Sequence, residues 1–495
     1  MNRRTAVQLL SSGSSVVAMG GLPALLSSCG HEAFGPAPTA VPLIESPFER
    51  PLPVLPVHAG GPIQLVAQAS SLDIRKGASS TSMSYGGSIY GPTIVVRRGE
   101  GVDAQLTNQI GADTNIHWHG LLVPAEMDGH PMHVAGSGAS LRYTYALNQR
   151  ACHAWYHSHV HGETGRQITM GLAGNVVVRD AEEDALRLPS GNDEFVLVLQ
   201  DKRLDVSGNQ RYAPSMMEVM NGYMGEVVTV NGIAGPIVTT SQGRKRLRIV
   251  NASTARVYNL GMSDGRPLTC IGTDQGLLAM AEDVQSILLA PGERVDVLLD
   301  LRNAVGGEQI YLETRTFDGV TTQGKHAARI LRFDVTTNKG DMSDLPTSLA
   351  LLPTLDPNTA TRTRTFDISN THGGGHGGHG GHEGGHTING IVYAMTRSDV
   401  QAAVGGSEIW EFDNTAGAEI HPMHVHGATM RVLSRTGGRG ILTAPERGIK
   451  DTVLCMPGER VRALVSFGPH AGMFLLHCHL VEHSDDGMML NLELR

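Results

Sequence analysis

The sequence predicts an all-β chain built from three similar β-sandwich domains. Three observations carry that expectation. Gly 61 and Pro 24 against few aromatic residues suit short strands joined by tight turns, and helical periodicity is scarce. A turn followed by an alternating strand recurs: Pro291-Gly292-Glu293-Arg294-Val295-Asp296-Val297 is echoed by Pro457-Gly458-Glu459-Arg460-Val461-Arg462-Ala463. A second pattern ends in Asn and occurs three times, as Val102-Asp103-Ala104-Gln105-Leu106-Thr107-Asn108, Leu247-Arg248-Ile249-Val250-Asn251 and Ile409-Trp410-Glu411-Phe412-Asp413-Asn414. Three copies of one strand-and-turn unit imply three similar domains, and 495 residues suit that number.

In chain order, residues 1–29 read as a targeting segment rather than structure. Arg3-Arg4 is a twin-Arg pair ahead of a mildly apolar run that ends at Leu26. Leu26-Ser27-Ser28-Cys29-Gly30 resembles a bacterial lipobox with Cys29 as the acylated residue; an ordinary cleaved signal peptide is the alternative. Both readings predict export by the Tat route to the periplasm or the outer face of the cell envelope. The first adds membrane attachment by lipid at Cys29. Residues 30–58 are Pro-rich and read as a tether. The three sandwiches are expected at 59–185, 186–350 and 391–495, with a linker at 351–390. No later run reaches the roughly 18 apolar residues that a spanning helix requires. A net charge of -9 excludes a nucleic-acid partner, which would require a basic face.

The first sandwich carries two His-x-His pairs, His117-Trp118-His119 and His157-Ser158-His159. The third carries His424-Val425-His426 and the pair His477/His479 around Cys478. One such pair is usually a solvated loop feature; four pairs are a metal-ligand pattern. The middle copy has none and reads as a spacer, so the eight histidines should meet where the first and third domains join. His161 extends the alternation after His159 and reads as a neighbour.

Cys478, His483 and Met488 are spaced Cys-x4-His-x4-Met, and His421 supplies a second imidazole. Two His, one Cys and a weak axial Met form a blue-copper site. Alternate side chains of a strand point to opposite faces, so Cys478 would face one copper while His477 and His479 face another. The spacing of Cys152, Cys270 and Cys455 fixes no disulfide. Cys270 and Cys455 sit in apolar runs and read as buried free thiols. Residues 372–386 place His372, His376, His379, His382 and His386 among glycines. Such a segment cannot build a core; it is either a plain linker or a loose metal collector.

These residues carry a family resemblance. His117-Trp118-His119-Gly120, Trp155-Tyr156-His157-Ser158-His159, His421-Pro422-Met423-His424-Val425-His426-Gly427 and His477-Cys478-His479-Leu480-Val481-Glu482-His483 resemble the four copper motifs of multicopper oxidases. Met170-Gly171-Leu172-Ala173-Gly174, Lys450-Asp451-Thr452-Val453 and Gly487-Met488-Met489 are similar to the bacterial copper-tolerance branch, the cuprous oxidases of copper efflux and their laccase-like relatives. The resemblance implies three cupredoxin-like Greek-key domains and four copper ions. Type 1 copper would take His421, Cys478, His483 and Met488. Type 2 would take His117 and His424. The type 3 pair would take His119, His157, His159, His426, His477 and His479. It further implies a monomer that oxidises cuprous ion or a small phenolic donor one electron at a time, reduces dioxygen to water and serves copper tolerance. Asp128 matches the family's acidic residue near the cluster and, with Cys478, would be catalytic. The chain departs from the branch at 372–386, where a Met-rich insert is usual. It departs again at Gly417 and Glu419, which stand for an Asp and a Met, and at Ser484, which stands for a Glu. A non-catalytic copper buffer is the alternative function.

Overall fold

In the computed structural model the described residues are 39–87, 89–320, 322–353, 356–369 and 386–495. Arg3, Arg4, Cys29 and the histidines at 372, 376, 379 and 382 lie outside them. The strands form six sheets, and these face one another in three pairs. The first pair sets Ile63–Arg75, Ala78–Tyr85, Gly101–Asn108 and Ser140–Ala146 against Val57–Ala59, Thr93–Arg97, Cys152–His157 and Ala173–Arg179. Along Ile63–Arg75 buried and exposed residues largely alternate, as a half-buried strand requires. Leu65, Leu106, Tyr156 and Val176 fill the space between these sheets. The middle pair is larger, with six and eight strands around Leu199, Leu247, Val297 and Phe333. The third pair has four and five strands around Trp410, Phe412, Val465 and Leu476. No helix among the described residues is long and apolar enough to cross a membrane.

The Asn-ending repeat has a structural cause. Asn108, Asn251 and Asn414 are each 0 % exposed at the end of equivalent strands. The Asn108 Oδ1 accepts from the Ile110 N–H, and the Asn251 Oδ1 accepts from the Ser253 N–H, both at 3.0 Å. Each amide then donates to a carbonyl of the following loop, Ala112 for Asn108 and Arg256 for Asn251, and to one from farther along the chain, Ala135 and Leu289. The side chain thus turns the chain out of the strand while keeping the buried backbone satisfied. The second repeat supplies the neighbouring strand: Arg294–Asp300 pairs with Arg244–Asn251, and Arg460–Phe467 pairs with Ser407–Asp413.

Residues 39–58 are docked rather than a free tether. Arg50–Pro51 adds a parallel edge strand beside Pro236–Ile237. Val57–Ala59 does the same beside Thr93–Val95. The Arg50 guanidinium donates to the carbonyls of Asp73 and Ile74. Proline lacks a backbone donor and is tolerated at a sheet edge, so the composition that suggests a tether equally suits edge strands. Cys152, Cys270, Cys455 and Cys478 are buried free thiols.

Trp410 shows what the third core depends on. Its ring lies 4.8 Å from Phe366 and 5.8 Å from Phe467, and its Nε1–H donates to Glu408 Oε2 at 2.9 Å. Trp410→Ala should cost about 3–5 kcal/mol of stability, read as a lower urea midpoint. A midpoint shift smaller than a surface substitution produces would contradict this account of the core.

Candidate metal centre

The eight paired histidines come together, each between 0 and 2 % exposed. Backbone pairing puts them there. His117 and His157 exchange N–H···O bonds of 2.8 and 3.1 Å. In the third sandwich His421–Val425 lies between Gly472–Cys478 and Thr452–Cys455, with His424 opposite His477 on one side and Thr452 on the other.

Hydrogen bonds at the outer nitrogens set the tautomers. The Nδ1–H of His117 donates to the Asp128 carbonyl at 2.7 Å, and that of His424 to the Asp451 carbonyl at 2.9 Å. His157 and His477 bond likewise to the carbonyls of Ser158 and Cys478. His426 Nδ1–H donates to Asp128 Oδ2 at 2.6 Å. Each of these rings therefore turns a bare Nε2 lone pair inward. His117 Nε2 and His424 Nε2 face each other at 3.4 Å. His426 Nε2 and His477 Nε2 are 3.0 Å apart, and His159 Nε2 lies 3.3 Å from His477 Nε2. His119 is reversed: Nε2 lies 3.1 Å from both Asp451 Oδ1 and Thr452 Oγ1, and its buried Nδ1 has no partner. His157 Nε2 and both nitrogens of His479 are also buried without partners. Facing lone pairs repel, and a buried acceptor without a donor is costly. A cation between them removes both penalties. Burial pushes the His157 and His424 imidazoles down to about 3 and that of His477 to about 4, so they stay neutral and able to ligate.

A second group forms on the opposite face of the same strand. His421 Nδ1 is 3.6 Å and His483 Nδ1 3.8 Å from Cys478 Sγ, and Met488 is 0 % exposed. The loop closes on itself: the Met488 N–H donates to the His483 carbonyl and the Cys478 N–H to the Met488 carbonyl. Burial pushes the Cys478 thiol well up, so a bound cation would have to draw off its proton. His386 lies beside this group, buried and stacked on His483. Sequence reading placed it in a segment without a core. Ser484 turns its hydroxyl back to the Val481 carbonyl, and Asp485 accepts from the backbone N–H groups of Gly162 and Gly165.

Two donor groups on opposite faces of one strand, one with a thiolate ligand and one all imidazole, are what copper chemistry requires. Three multicopper oxidase family models match residues 67–183, 199–332 and 355–495. The chain belongs to the multicopper oxidases. It is similar to a multicopper oxidase of Staphylococcus epidermidis, 29% identical over 428 residues that cover 86% of each chain. It is 32% identical over 443 residues to the cell division protein FtsP of Xenorhabdus nematophila, covering 87% of this chain and 89% of that one. Among solved structures it resembles the laccase-like multicopper oxidase CueO of Ochrobactrum sp., with TM-score 0.80, 31% identity, and 90% of this chain and 100% of that chain covered. As a multicopper oxidase it is an oxidoreductase that binds four coppers, one of type 1, one of type 2 and a type 3 pair, and couples oxidation of a reducing substrate to reduction of dioxygen.

The multicopper oxidase site also uses residues that sequence reasoning did not assign. Asp451 meets His119 from one side and Arg294 from the other. Arg294 belongs to the middle sandwich, is 0 % exposed, and donates from Nη1 to Asp451 Oδ1 at 2.7 Å and from Nη2 to Oδ2 at 2.5 Å. Its Nε–H donates to the His153 carbonyl at 3.0 Å. Asp274, also of the middle sandwich, accepts from the N–H groups of Arg294, Asp451 and Thr452 and pairs with Lys450. Gly292 closes the cluster: at φ +82 a Cβ there would lie 2.8 Å from His479 ring carbons and 3.1 Å from His119 Cε1. The middle sandwich is therefore a wall of the site as well as a spacer. The two carboxylates beside the cluster differ. Burial alone pushes Asp128 well up, whereas the Arg294 guanidinium overcomes burial and holds Asp451 below the ordinary carboxylate range.

The Arg294–Asp451 pair generates a prediction. Arg294→Met removes the cation and leaves a buried carboxylate unpaired. The variant should lose about 3–5 kcal/mol of stability by denaturant titration. It should also hold fewer than the full complement of copper ions by metal analysis, because His119 and His424 lose a fixed neighbour. Full copper loading with unchanged stability would refute the assigned role of the pair.

Proposed function

We propose that the chain oxidises cuprous ion and small phenolic donors at a type 1 copper and passes the electrons to a trinuclear copper cluster. Type 1 copper takes His421, Cys478, His483 and Met488. Type 2 copper takes His117 and His424. The type 3 pair takes His159, His426 and His477 on one ion and His119, His157 and His479 on the other. What supports this reading best is the strand His477-Cys478-His479. Cys478 faces His421 and His483, while the two flanking imidazoles join the eight-His group. Copper bound there supplies one-electron acceptance at the first site and four-electron reduction of dioxygen to water at the second. Cys478 then offers a covalent path of a few bonds between them. Burial keeps the imidazoles neutral, and the carbonyls behind His117, His157, His424 and His477 aim the Nε2 of those four rings inward. Asp128, whose buried Oδ1 takes part in no hydrogen bond and lies 3.6 Å from His117 Nδ1, is suited to hold a proton beside His426. Asp451, kept ionised by Arg294, offsets positive charge on the other side.

We assign residues 59–185, 186–350 and 391–495 as the three sandwich domains and residues 1–29 as a twin-Arg export signal with acylation at Cys29. The location that follows is the periplasm or the outer face of the envelope, with a role in copper tolerance and a monomeric working form. The His-x-His pairs argue against a role as a copper-free scaffold, because that fold would have no use for facing imidazole lone pairs.

Cys478→Ser should abolish the intense blue absorption band and donor oxidation while the other coppers stay bound, since the band requires thiolate-to-copper charge transfer. Copper-loaded wild type without a blue band would refute the type 1 assignment. Replacing Arg3 and Arg4 together by Lys should leave the enzyme in the cytoplasm on cell fractionation. Undiminished export of that double variant would point to the general secretory route.

A further inference from the structure

His386 is the last histidine of the His/Gly-rich segment and the one among the described residues. It is 2 % exposed, and its ring stacks on that of His483 at 3.8 Å between centroids and 18° between planes. Asp486 fixes it twice: Oδ2 accepts from the His386 backbone N–H at 3.0 Å and from its Nδ1–H at 2.8 Å. With the proton on Nδ1, Nε2 carries a lone pair, and that nitrogen is buried without a partner. A carboxylate-oriented imidazole with a bare second nitrogen is the arrangement of a metal ligand. The outward nitrogen of His483 is unavailable for that purpose, because its Nε2–H donates to the Met220 carbonyl at 3.0 Å.

We propose that His386 Nε2 is the docking ligand for the incoming cuprous ion, and that electrons pass to the type 1 site through the His386–His483 stack. The inference rests on His483 being a type 1 ligand. Imidazole is a borderline donor that binds copper, and the rings stack at 3.8 Å with no gap for water between donor and acceptor. The step balances simply. A cuprous ion coordinates Nε2, gives one electron to the type 1 centre and departs as cupric ion; no proton moves, and dioxygen is the final acceptor. An outer-sphere donor such as ferrocyanide has no need of that lone pair.

The test compares copper-loaded wild type with His386→Phe, which keeps a stacking ring, and His386→Gln, which keeps a polar group beside Asp486. Both variants should retain the blue band and full copper content. Equilibrium dialysis with silver(I), a redox-inert substitute for cuprous ion, should show one tight site fewer in each. The other histidines of 372–386 are present in every arm and cancel. The KM for cuprous ion should rise about tenfold or more, as loss of a metal-site partner generally costs. Ferrocyanide oxidation should stay within about twofold in His386→Phe, which loses the metal-binding nitrogen and keeps the ring stacked on His483. Unchanged silver binding and cuprous KM in both variants would overturn the proposal. So would equal slowing of both donors, which would make His386 a structural cover. If the wild type lacks a blue band, the ligand assignment fails, and the silver count still decides the His386 site.

Discussion

Eight buried imidazoles crowd together, five of them with a bare Nε2 turned inward by a bond at Nδ1, and the rest of the structure answers to that repulsion. Soft side chains could not hold such an arrangement by themselves. Four of the rings, His117, His157, His424 and His477, are braced from behind by main-chain carbonyls of Asp128, Ser158, Asp451 and Cys478. These carbonyls belong to strands or to the short segments leaving them, so the sheets transmit rigidity to the metal side of each ring. A site braced in this way pays its electrostatic cost during folding and stands ready to bind copper without rearrangement.

Charge balance is the second requirement. Four copper ions add far more positive charge than eight neutral imidazoles and one thiolate can offset. Two buried carboxylates flank the cluster, and their surroundings separate them. Asp451 is held ionised by a bidentate guanidinium, and Asp128 is pushed toward its neutral form by burial. Neighbouring acids are thus tuned in opposite directions by their surroundings.

The middle sandwich shows how one sequence pattern serves two ends. Pro291-Gly292-Glu293-Arg294 and Pro457-Gly458-Glu459-Arg460 open equivalent strands. The Arg460 side chain is 46 % exposed and pairs with Asp413 on the strand surface. Arg294 is fully buried at the cluster. The difference comes from what packs on each turn: solvent in the third sandwich, and the copper-facing edges of two other sandwiches in the middle one. Asp485 is a further tie between outer sandwiches, since it accepts N–H groups of the segment Gly162–Gly165 from across the interface.

Local order in the chain was enough to predict the strand character, the recurring strand-and-turn unit and the histidines and cysteine that the fold brings together. Period-2 alternation acts over neighbouring residues, so His477-Cys478-His479 by itself divides its side chains between two faces. The spacing Cys478, His483, Met488 closes one short loop and is equally local. Other features were decided only in three dimensions. The tautomer of each ring depends on carbonyls brought up by pairing, and the Arg294–Asp451 contact joins residues 157 positions apart. The edge strands at Arg50–Pro51 and Val57–Ala59 exist because partners 186 and 36 positions further on offer unpaired backbone. The place of His386 against His483 likewise follows from packing around Asp486, which no composition of glycine and histidine encodes. Donor identity is a property of short spacings; orientation, charge state and closure are properties of contacts between distant parts of the chain.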